Sequence, residues 1–325
     1  MNTYPVAFAC PGGGEIQFSK THDALSAMGH SPLLYDQWHP QFDVCDIVHY
    51  FSLQGGSSSF CYYSKFSVQK PLVISPILWV GGDTSKYAMN EAIDLLNICD
   101  LALPNSDIEG DKLSQVCGVP REKFHTVYNG IDPIFFNSKE SKSLFRDHFK
   151  QDRPFLLCVA NIEYRKNQQN LIRAFELLNL DMDLILLGNI RDKAYFKESV
   201  QGKKNTKYFG YLDHHSPLLR SAYAGCEAFV LPSQLETPGL AALEAAATGA
   251  KVLITEEGSA SEYFEDMATY ANPTDVDSIA HAIVSVLSKD HCDDLKNHVC
   301  EKFTWENAAM QTLNAYKDVL EASTT

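Results

Sequence analysis

The segment running from Leu231 to Gly249, LPSQLETPGLAALEAAATG, concentrates residue types that could do chemistry. An apolar run ends at Pro232–Ser233, a short loop carries Glu236 and Thr237, and a helix is predicted to open near Pro238–Gly239. Proline suits the first helical position, where its missing N–H would have had no partner. The N–H groups of Gly239, Leu240 and Ala241 then lie at the positive end of the helix dipole, a place for a phosphate. Gly239 has no side chain to keep the backbone from a ligand. Glu236 on the loop and Glu244 inside the helix repel phosphate but accept hydrogen bonds from hydroxyls. A ligand with phosphate in its middle and hydroxyl-rich groups at both ends fits this pattern, and a nucleotide-sugar is such a ligand. An isolated glutamate pair is more often a helix cap and a solvated side chain, so the pattern draws its weight from its surroundings.

A second segment, Cys158-Val-Ala-Asn-Ile-Glu-Tyr-Arg-Lys-Asn167, runs from a predicted strand into a helix start and carries paired cations. Arg165 can grip a diphosphate by its planar fork and Lys166 as a point charge. Alone, such a pair is ordinary surface charge. The third is Pro11-Gly-Gly-Gly-Glu15, where Gly12, Gly13 and Gly14 permit close backbone approach and Glu15 opens a helix. It does not match the GxGxxG dinucleotide fingerprint. The fourth, Tyr128-Asn-Gly-Ile-Asp132, is a turn at a strand end. His214 and His215 lack a carboxylate or cysteine at metal-ligand spacing and read as a loop before a helix. His49 reads as a core histidine more readily than a cleft residue. Trp79 is poised between stacking on a sugar and ordinary packing, and Asp46 and Asp100 read as structural.

These residues sit on an alternation of short apolar runs and longer amphipathic stretches, which predicts an α/β chain built around parallel sheets. In the first half, strands are expected at Val6–Cys10, Ser31–Tyr35, Ile47–Phe51, Leu72–Pro76, Leu101–Pro104 and His125–Tyr128, with helices at Glu15–Met28 and Lys86–Asn97. The polar run 137–153 reads as a linker between an N-terminal domain, 1–136, and a C-terminal domain, 154–304. The second half predicts strands at Phe155–Asn161, Leu184–Gly188, Ala228–Pro232 and Lys251–Thr255, and a short one at Tyr208. Its helices are expected at Gln168–Leu178, Ser216–Ala224, Gly239–Thr248, Asp275–Ser288 and Trp305–Leu320.

Composition excludes several classes. The chain has 325 residues, 45% hydrophobic and 11% aromatic, values of a packed globular protein rather than a disordered one. Its net charge of −14 argues against nucleic acid, which calls for a dense basic face. From Met1 to Gly110 the basic residues are Lys20, Lys65, Lys70 and Lys86, too few for strong electrostatic attachment to a membrane. No apolar run approaches membrane-spanning length, and the first residues lack the basic region of a secretory signal. Nine cysteines without a CxxC pair suggest reduced thiols and a cytoplasmic location.

In order and spacing, the motifs together resemble the retaining glycosyltransferases of family 4, which have the GT-B fold of two Rossmann-like β/α/β domains. The resemblance spans nearly the whole chain: PGGGE, VYNGID, FLLCVANIEYRKN, LILLG, AYAGCEAFVLPS, LETPGLAALEAAATG and the closing FTWENAAMQTLNAYKDVL. It implies that Glu236 meets the transferred sugar and that Glu244 holds the ribose hydroxyls. Lys166 would neutralise the diphosphate, and Thr237, Pro238, Gly239 and Leu240 would line the donor. Gly12, Gly13 and Gly14 would close over its phosphates. The final helix, 305–325, would cross back towards the N-terminal domain.

Three positions depart from the family pattern. Ala160-Asn161 stands where Gly-Arg is usual, leaving Arg165 as the candidate replacement cation beside Asn161. Val73-Ile-Ser-Pro-Ile-Leu-Trp79 stands where a histidine is common, with Ser75 as a candidate for its role. Pro238 stands where phenylalanine is common. Acceptor-side candidates are Glu15, Ser75 and Trp79, and the loop Gln54–Phe66 is a further candidate for acceptor contacts.

What the resemblance implies is transfer from a nucleotide-diphosphate sugar to a hydroxyl of a saccharide or lipid-linked saccharide, with retention, in lipopolysaccharide or capsule synthesis. No metal and no other cofactor is expected, and a peripheral place at the inner membrane face stays open. The alternatives are a non-catalytic nucleotide-sugar-binding protein on the same fold, which the missing arginine and histidine would suit, and a nucleotide-sugar epimerase.

Overall fold

The structure is a computed structural model that describes residues 1–9, 12–56, 58–81 and 83–323. The chain divides into two compact units: Met1–Gly130 with the C-terminal segment from Trp305, and Ile131–Thr304.

The first unit is built on a parallel sheet in the order β1 (Asn2–Thr3), β2 (Val48–Phe51), β3 (Leu72–Ser75) and β4 (Leu101–Ala102). β2 and β3 are buried at every position, as expected of parallel strands covered on both faces. Tyr50, Leu72, Ile74, Leu95 and Leu96 form part of its core. Helix Gly13–Ala27 ends before Gly29, whose φ of +86° is a left-handed stop that glycine adopts without strain. The closing helix, Trp305–Ala322, packs against Gly13–Ala27.

Three expected strands of this unit take another form. The first strand is Asn2–Thr3, paired with Tyr50 and Phe51, while Ala7–Ala9 is a helical turn closed by Ala7 N–H to Tyr4 O and Ala9 N–H to Val6 O. The apolar letters that suggested a strand there include Val6 and Phe8, both exposed, and Cys10 lies outside the described residues. Residues 31–35 form no strand: Tyr35 N–H donates to Met1 O, the amino terminus donates to Leu33 O at 2.6 Å, and Pro32 has no N–H to give. Residues 125–128 reach the sheet edge through His125 N–H to Ala102 O and Val127 N–H to Pro104 O, without forming a strand.

The second unit holds a six-stranded parallel sheet. Its strands are β5 (Phe155–Val159), β6 (Asp183–Leu187), β7 (Thr206–Tyr208), β8 (Ala228–Leu231), β9 (Val252–Thr255) and β10 (Thr269–Ala271), in the order β10-β9-β8-β5-β6-β7. The chain builds outward from β5 to β7, then returns to β8 on the other side of β5. The carboxyl ends of β5 and β8 at such a reversal are where open α/β sheets bind ligands. Segment 137–153 carries helix Ser143–Phe149, whose fully buried Phe145 packs on Phe149, Phe155 and Phe209. The polar letters around it conceal an anchor that docks on helix Pro217–Gly225.

Helices Gln168–Leu178, Val276–Ser288 and Trp305–Ala322 fall where the periodicity predicts them, to within two residues. Among the described residues no helix is long and apolar enough to cross a membrane.

Candidate functional site

The reversal point brings the loop after β5 against the loop after β8. Asn167 joins them, because its side-chain amide donates to the carbonyls of Pro232 and Pro273, each at 2.8 Å. A left-handed φ of +59° turns Asn167 into the start of helix Gln168–Leu178, a conformation asparagine tolerates better than most residues. The backbone adds Gln234 N–H to Arg165 O at 2.9 Å.

On this frame Lys166 and Glu236 meet: Nζ lies 2.5 Å from Oε1, with the side chains only 13% and 6% exposed. Withdrawn from water, the two charges neutralise each other, and a charge-assisted hydrogen bond of this kind fixes both side chains. Glu236 is held at its backbone as well. Its N–H donates to Glu257 O at 3.2 Å and its carbonyl accepts from Ser259 N–H at 3.0 Å. The chain opposite must be glycine, since a Cβ on Gly258 would stand 2.0 Å from Glu236 O and its φ is +114°.

Helix Leu240–Ala247 begins immediately beyond. Gly239 is its N-cap with φ of +87°, so Pro238 stands before the helix rather than inside its first turn as the sequence predicts. Glycine is needed here for its left-handed backbone and for room, as a Cβ would come within 3.2 Å of Ile254 Cδ1. The Thr237–Pro238 peptide is cis. Ser233 Oγ, Ser259 Oγ and Gln168 Oε1, which follow β8, β9 and Asn167 in the chain, are buried without a protein hydrogen-bond partner. Buried polar atoms normally have partners, so this edge of the sheet is suited to receive a polar ligand or water. A lysine, a carboxylate and a helix N-terminus side by side can bind a phosphate, orient a hydroxyl and stabilise charge on a departing group.

Arg165 lies outside this core. Its side chain is half-exposed, 3.5 Å from Glu163 Oε1, with a long contact to Leu235 O. The carbonyl of Asn161 accepts from Gln168 Nε2 at 2.9 Å, a bond that shapes the turn after β5.

Glu244 is held by a separate set of partners. Its Oε2 accepts from the hydroxyl of fully buried Tyr223 at 2.9 Å, and its Oε1 lies 3.3 Å from His214 Nδ1. Burial, and then the adjacent carboxylate, push the Tyr223 hydroxyl well above its ordinary pKa, so it remains a donor. His214 thus belongs to the neighbourhood of a candidate ligand-binding glutamate, which the sequence reading as a plain loop missed. No local spacing signals it, because the two residues meet only through the sheet.

The remaining candidates belong to the first unit. Glu15 is buried, accepts from Gly12 N–H at 2.6 Å and from the Tyr4 hydroxyl, and so closes the start of helix Gly13–Ala27. Gly14 faces Ile77, which a Cβ would approach to 3.1 Å, while Gly13 is exposed. Ser75 Oγ is 2.9 Å from Nε2 of buried His49, whose Nδ1 is 2.7 Å from the Tyr316 hydroxyl. His49 is therefore a bonded core histidine. One face of the Trp79 ring is covered by Lys112, whose Nζ is 4.4 Å from its centre.

The family model for glycosyl transferases group 1 matches residues 140–302, half of the chain and nearly all of the second unit. The chain belongs to this family. A glycosyltransferase of uncharacterised specificity from Methanocaldococcus jannaschii is 30% identical over 64% of this chain and 58% of its own length. The O-antigen chain mannosyltransferase B of Escherichia coli is 27% identical over 72% of this chain and 65% of its own length. The chain therefore spans less than two thirds of the length of these curated relatives. Among solved structures, Anabaena HepE in complex with UDP and glucose superposes with a TM-score of 0.77 at 17% identity, covering 97% of this chain and 99% of that one. Sucrose-phosphate synthase from Thermosynechococcus elongatus gives 0.78 at 17% identity, covering 99% and 98%. With two parallel α/β units and these neighbours, the fold is GT-B, two Rossmann-like domains.

Proposed function

We propose that this group 1 glycosyltransferase is a retaining enzyme of family 4 that moves a sugar from a nucleotide-diphosphate sugar to a hydroxyl of a saccharide or lipid-linked saccharide. The observation that carries the reading is the buried Lys166–Glu236 pair at the sheet reversal, beside the start of helix Leu240–Ala247. Lys166 and the N–H groups of Leu240 and Ala241 stabilise the charge that grows on the leaving diphosphate as its bond to the sugar breaks. Thr237, Pro238 and Gly239 carry the chain past the donor, and Arg165 adds positive charge at the rim. Glu236 turns from Lys166 towards the sugar hydroxyls, and Glu244 holds the ribose. In this reading the cationic and amide groups of the chain neutralise the diphosphate, and transfer proceeds without a metal. The acceptor oxygen bonds to the anomeric carbon on the face from which the diphosphate departs, while its proton passes to the departing phosphate oxygen, which gives retention.

Two relatives support the donor class and the product class. HepE is bound to UDP and glucose, and the Escherichia coli relative is named for building O-antigen chains. A cell-surface glycan is accordingly the acceptor class proposed, with the enzyme in the cytoplasm. The test is a thermal-shift panel of UDP, GDP, ADP, TDP and CMP, each with magnesium or EDTA. A ligand at 100 times its Kd adds roughly 2.7 kcal/mol of stability. The expected result is a selective shift by one nucleoside diphosphate, unchanged by EDTA and lost in Glu244→Ala. No shift by any nucleotide would overturn the reading.

A further inference from the structure

We infer that His214 and Tyr223, with Asp132 behind the histidine, form a positioning set that orients the Glu244 carboxylate and makes nucleotide binding depend on the ribose 2′-hydroxyl. The inference rests on the nucleotide-sugar reading above and gives His214, Tyr223 and Asp132 a role that reading does not assign them.

The geometry is a clamp from two directions. Tyr223, on helix Pro217–Gly225, donates to Oε2 at 2.9 Å from a fully buried position. His214, on the loop before the same helix, faces Oε1 through Nδ1 at 3.3 Å. A donor at each oxygen stops rotation about the last bond of the glutamate side chain, which is otherwise broad and soft. Because the partner is a carboxylate, Nδ1 must carry a proton in this contact. The other ring nitrogen, Nε2, lies 3.9 Å from Asp132 Oδ2, an ionic rather than a hydrogen-bonded distance. The histidine ring thus stands between two carboxylates.

Each member is fixed by its own surroundings. The imidazole meets the Phe135 ring edge-on at 5.0 Å, and Phe135 also contacts Tyr223 at 5.9 Å. The loop carrying His214 is tied by Asp213 Oδ1 accepting from His215 N–H at 2.8 Å. Ser216 closes that loop, accepting from Leu218 N–H at 3.2 Å as the N-cap of helix Pro217–Gly225. Asp132 caps the short helix Pro133–Phe136 through Ile134 N–H at 3.2 Å. Tyr223 and His214 therefore meet the Glu244 carboxylate, with Asp132 against the histidine and Phe135 against both rings.

An oriented carboxylate distinguishes a hydroxyl from a hydrogen far better than a mobile one. A site built to bond a substrate hydroxyl rejects the analogue lacking it, whereas a carboxylate that can swing away loses little when that hydroxyl is absent. His214 and Tyr223 act through Glu244, so they are positioning residues.

The experiment compares UDP, GDP and ADP with their 2′-deoxy forms by calorimetry on the intact protein, carrying forward the nucleotide that binds most tightly. The expected wild-type preference for the ribonucleotide is about tenfold or more. In His214→Ala the ribonucleotide should lose about tenfold in affinity, the 2′-deoxy form little, and the preference should fall towards one. His214→Gln, whose amide N–H can reach the same oxygen, should recover most of it, a rescue that a purely structural role would not give. Tyr223→Phe, which keeps the packing and loses the hydroxyl, should narrow the preference in the same way and stands in if His214→Ala fails to fold. An unchanged ribose preference in soluble His214→Ala or Tyr223→Phe protein would overturn the inference while leaving the nucleotide-sugar reading intact. Failure of the wild type to bind UDP, GDP and ADP would overturn this inference, and failure with TDP and CMP as well would overturn both.

Discussion

Lys166 and Glu236 hold each other across the sheet reversal, Nζ to Oε1 at 2.5 Å, in a position where both are almost removed from solvent. Each carboxylate or ammonium in such a pair is the other's main compensation for lost hydration. In the proposed reaction a diphosphate arriving at Lys166 would compete directly with Glu236, so donor binding would free the carboxylate at the moment a sugar is present to receive it.

This exchange separates the two variants. Lys166→Ala and Glu236→Ala should each lower turnover about 10²-fold or more, as loss of a charge-stabilising group does. Their nucleoside diphosphate affinities should diverge: about tenfold weaker in Lys166→Ala, equal to wild type or tighter in Glu236→Ala, where the lysine has lost its competitor. Calorimetry with the free nucleotide reads the difference, and equal weakening in both would disprove the exchange.

Gly258 packs against the backbone of the same glutamate. Its positive φ and the 2.0 Å approach that a Cβ would make to Glu236 O leave no room for alanine. Gly258→Ala should cost about 2–4 kcal/mol by chemical denaturation, through strain and displacement of the loop. Wild-type stability with full turnover would show that the loop tolerates the shift.

Ser75 tests whether the first unit's candidate acts on the acceptor or in the core. Its hydroxyl meets Nε2 of buried His49. Ser75→Ala should therefore lower stability by about 1–3 kcal/mol, the cost of leaving a buried polar atom unpaired. The KM for the acceptor should stay at the wild-type value, and a change in that KM at unchanged stability would give Ser75 to the acceptor instead.

Acid should weaken the fold in two steps. Burial, and then the nearby amino terminus, hold His49 well below its ordinary 6.5. The folded state resists a proton that the unfolded chain accepts, so stability falls as pH drops below about 6.5. Glu140 is brought from 4.5 down to about 2, first by its hydrogen bond to Arg220 and then by Ser138. Its contribution is complete above about 4.5 and lost as pH falls towards 2. Denaturation midpoints measured from pH 8 to pH 3 should show both declines, with the upper one reduced in His49→Gln and the lower one reduced in Arg220→Ala.

The sequence by itself determined the α/β class, most of the second unit's elements and the identity of its central motif. That legibility has a physical cause. Strands buried on both faces, such as Phe155–Val159 and Val252–Thr255, read as continuous apolar runs, and helix Val276–Ser288 carries a strong helical period. The placement of Glu236 on a loop and of Glu244 in the helix that follows was equally visible, because the two elements are neighbours in sequence. Tertiary structure decided what lies far apart along the chain. It joined Lys166 to Glu236 through the return of the chain to β8, set Gly258 against Glu236, and brought His214 and Asp132 to Glu244. It also replaced the expected strand at Val6–Cys10 by Asn2–Thr3 and a helical turn, since a short apolar run carries no record of which backbone groups will find partners. Sequence records local periodicity and turn chemistry, whereas the order in which strands lie side by side is fixed only when the whole sheet is packed.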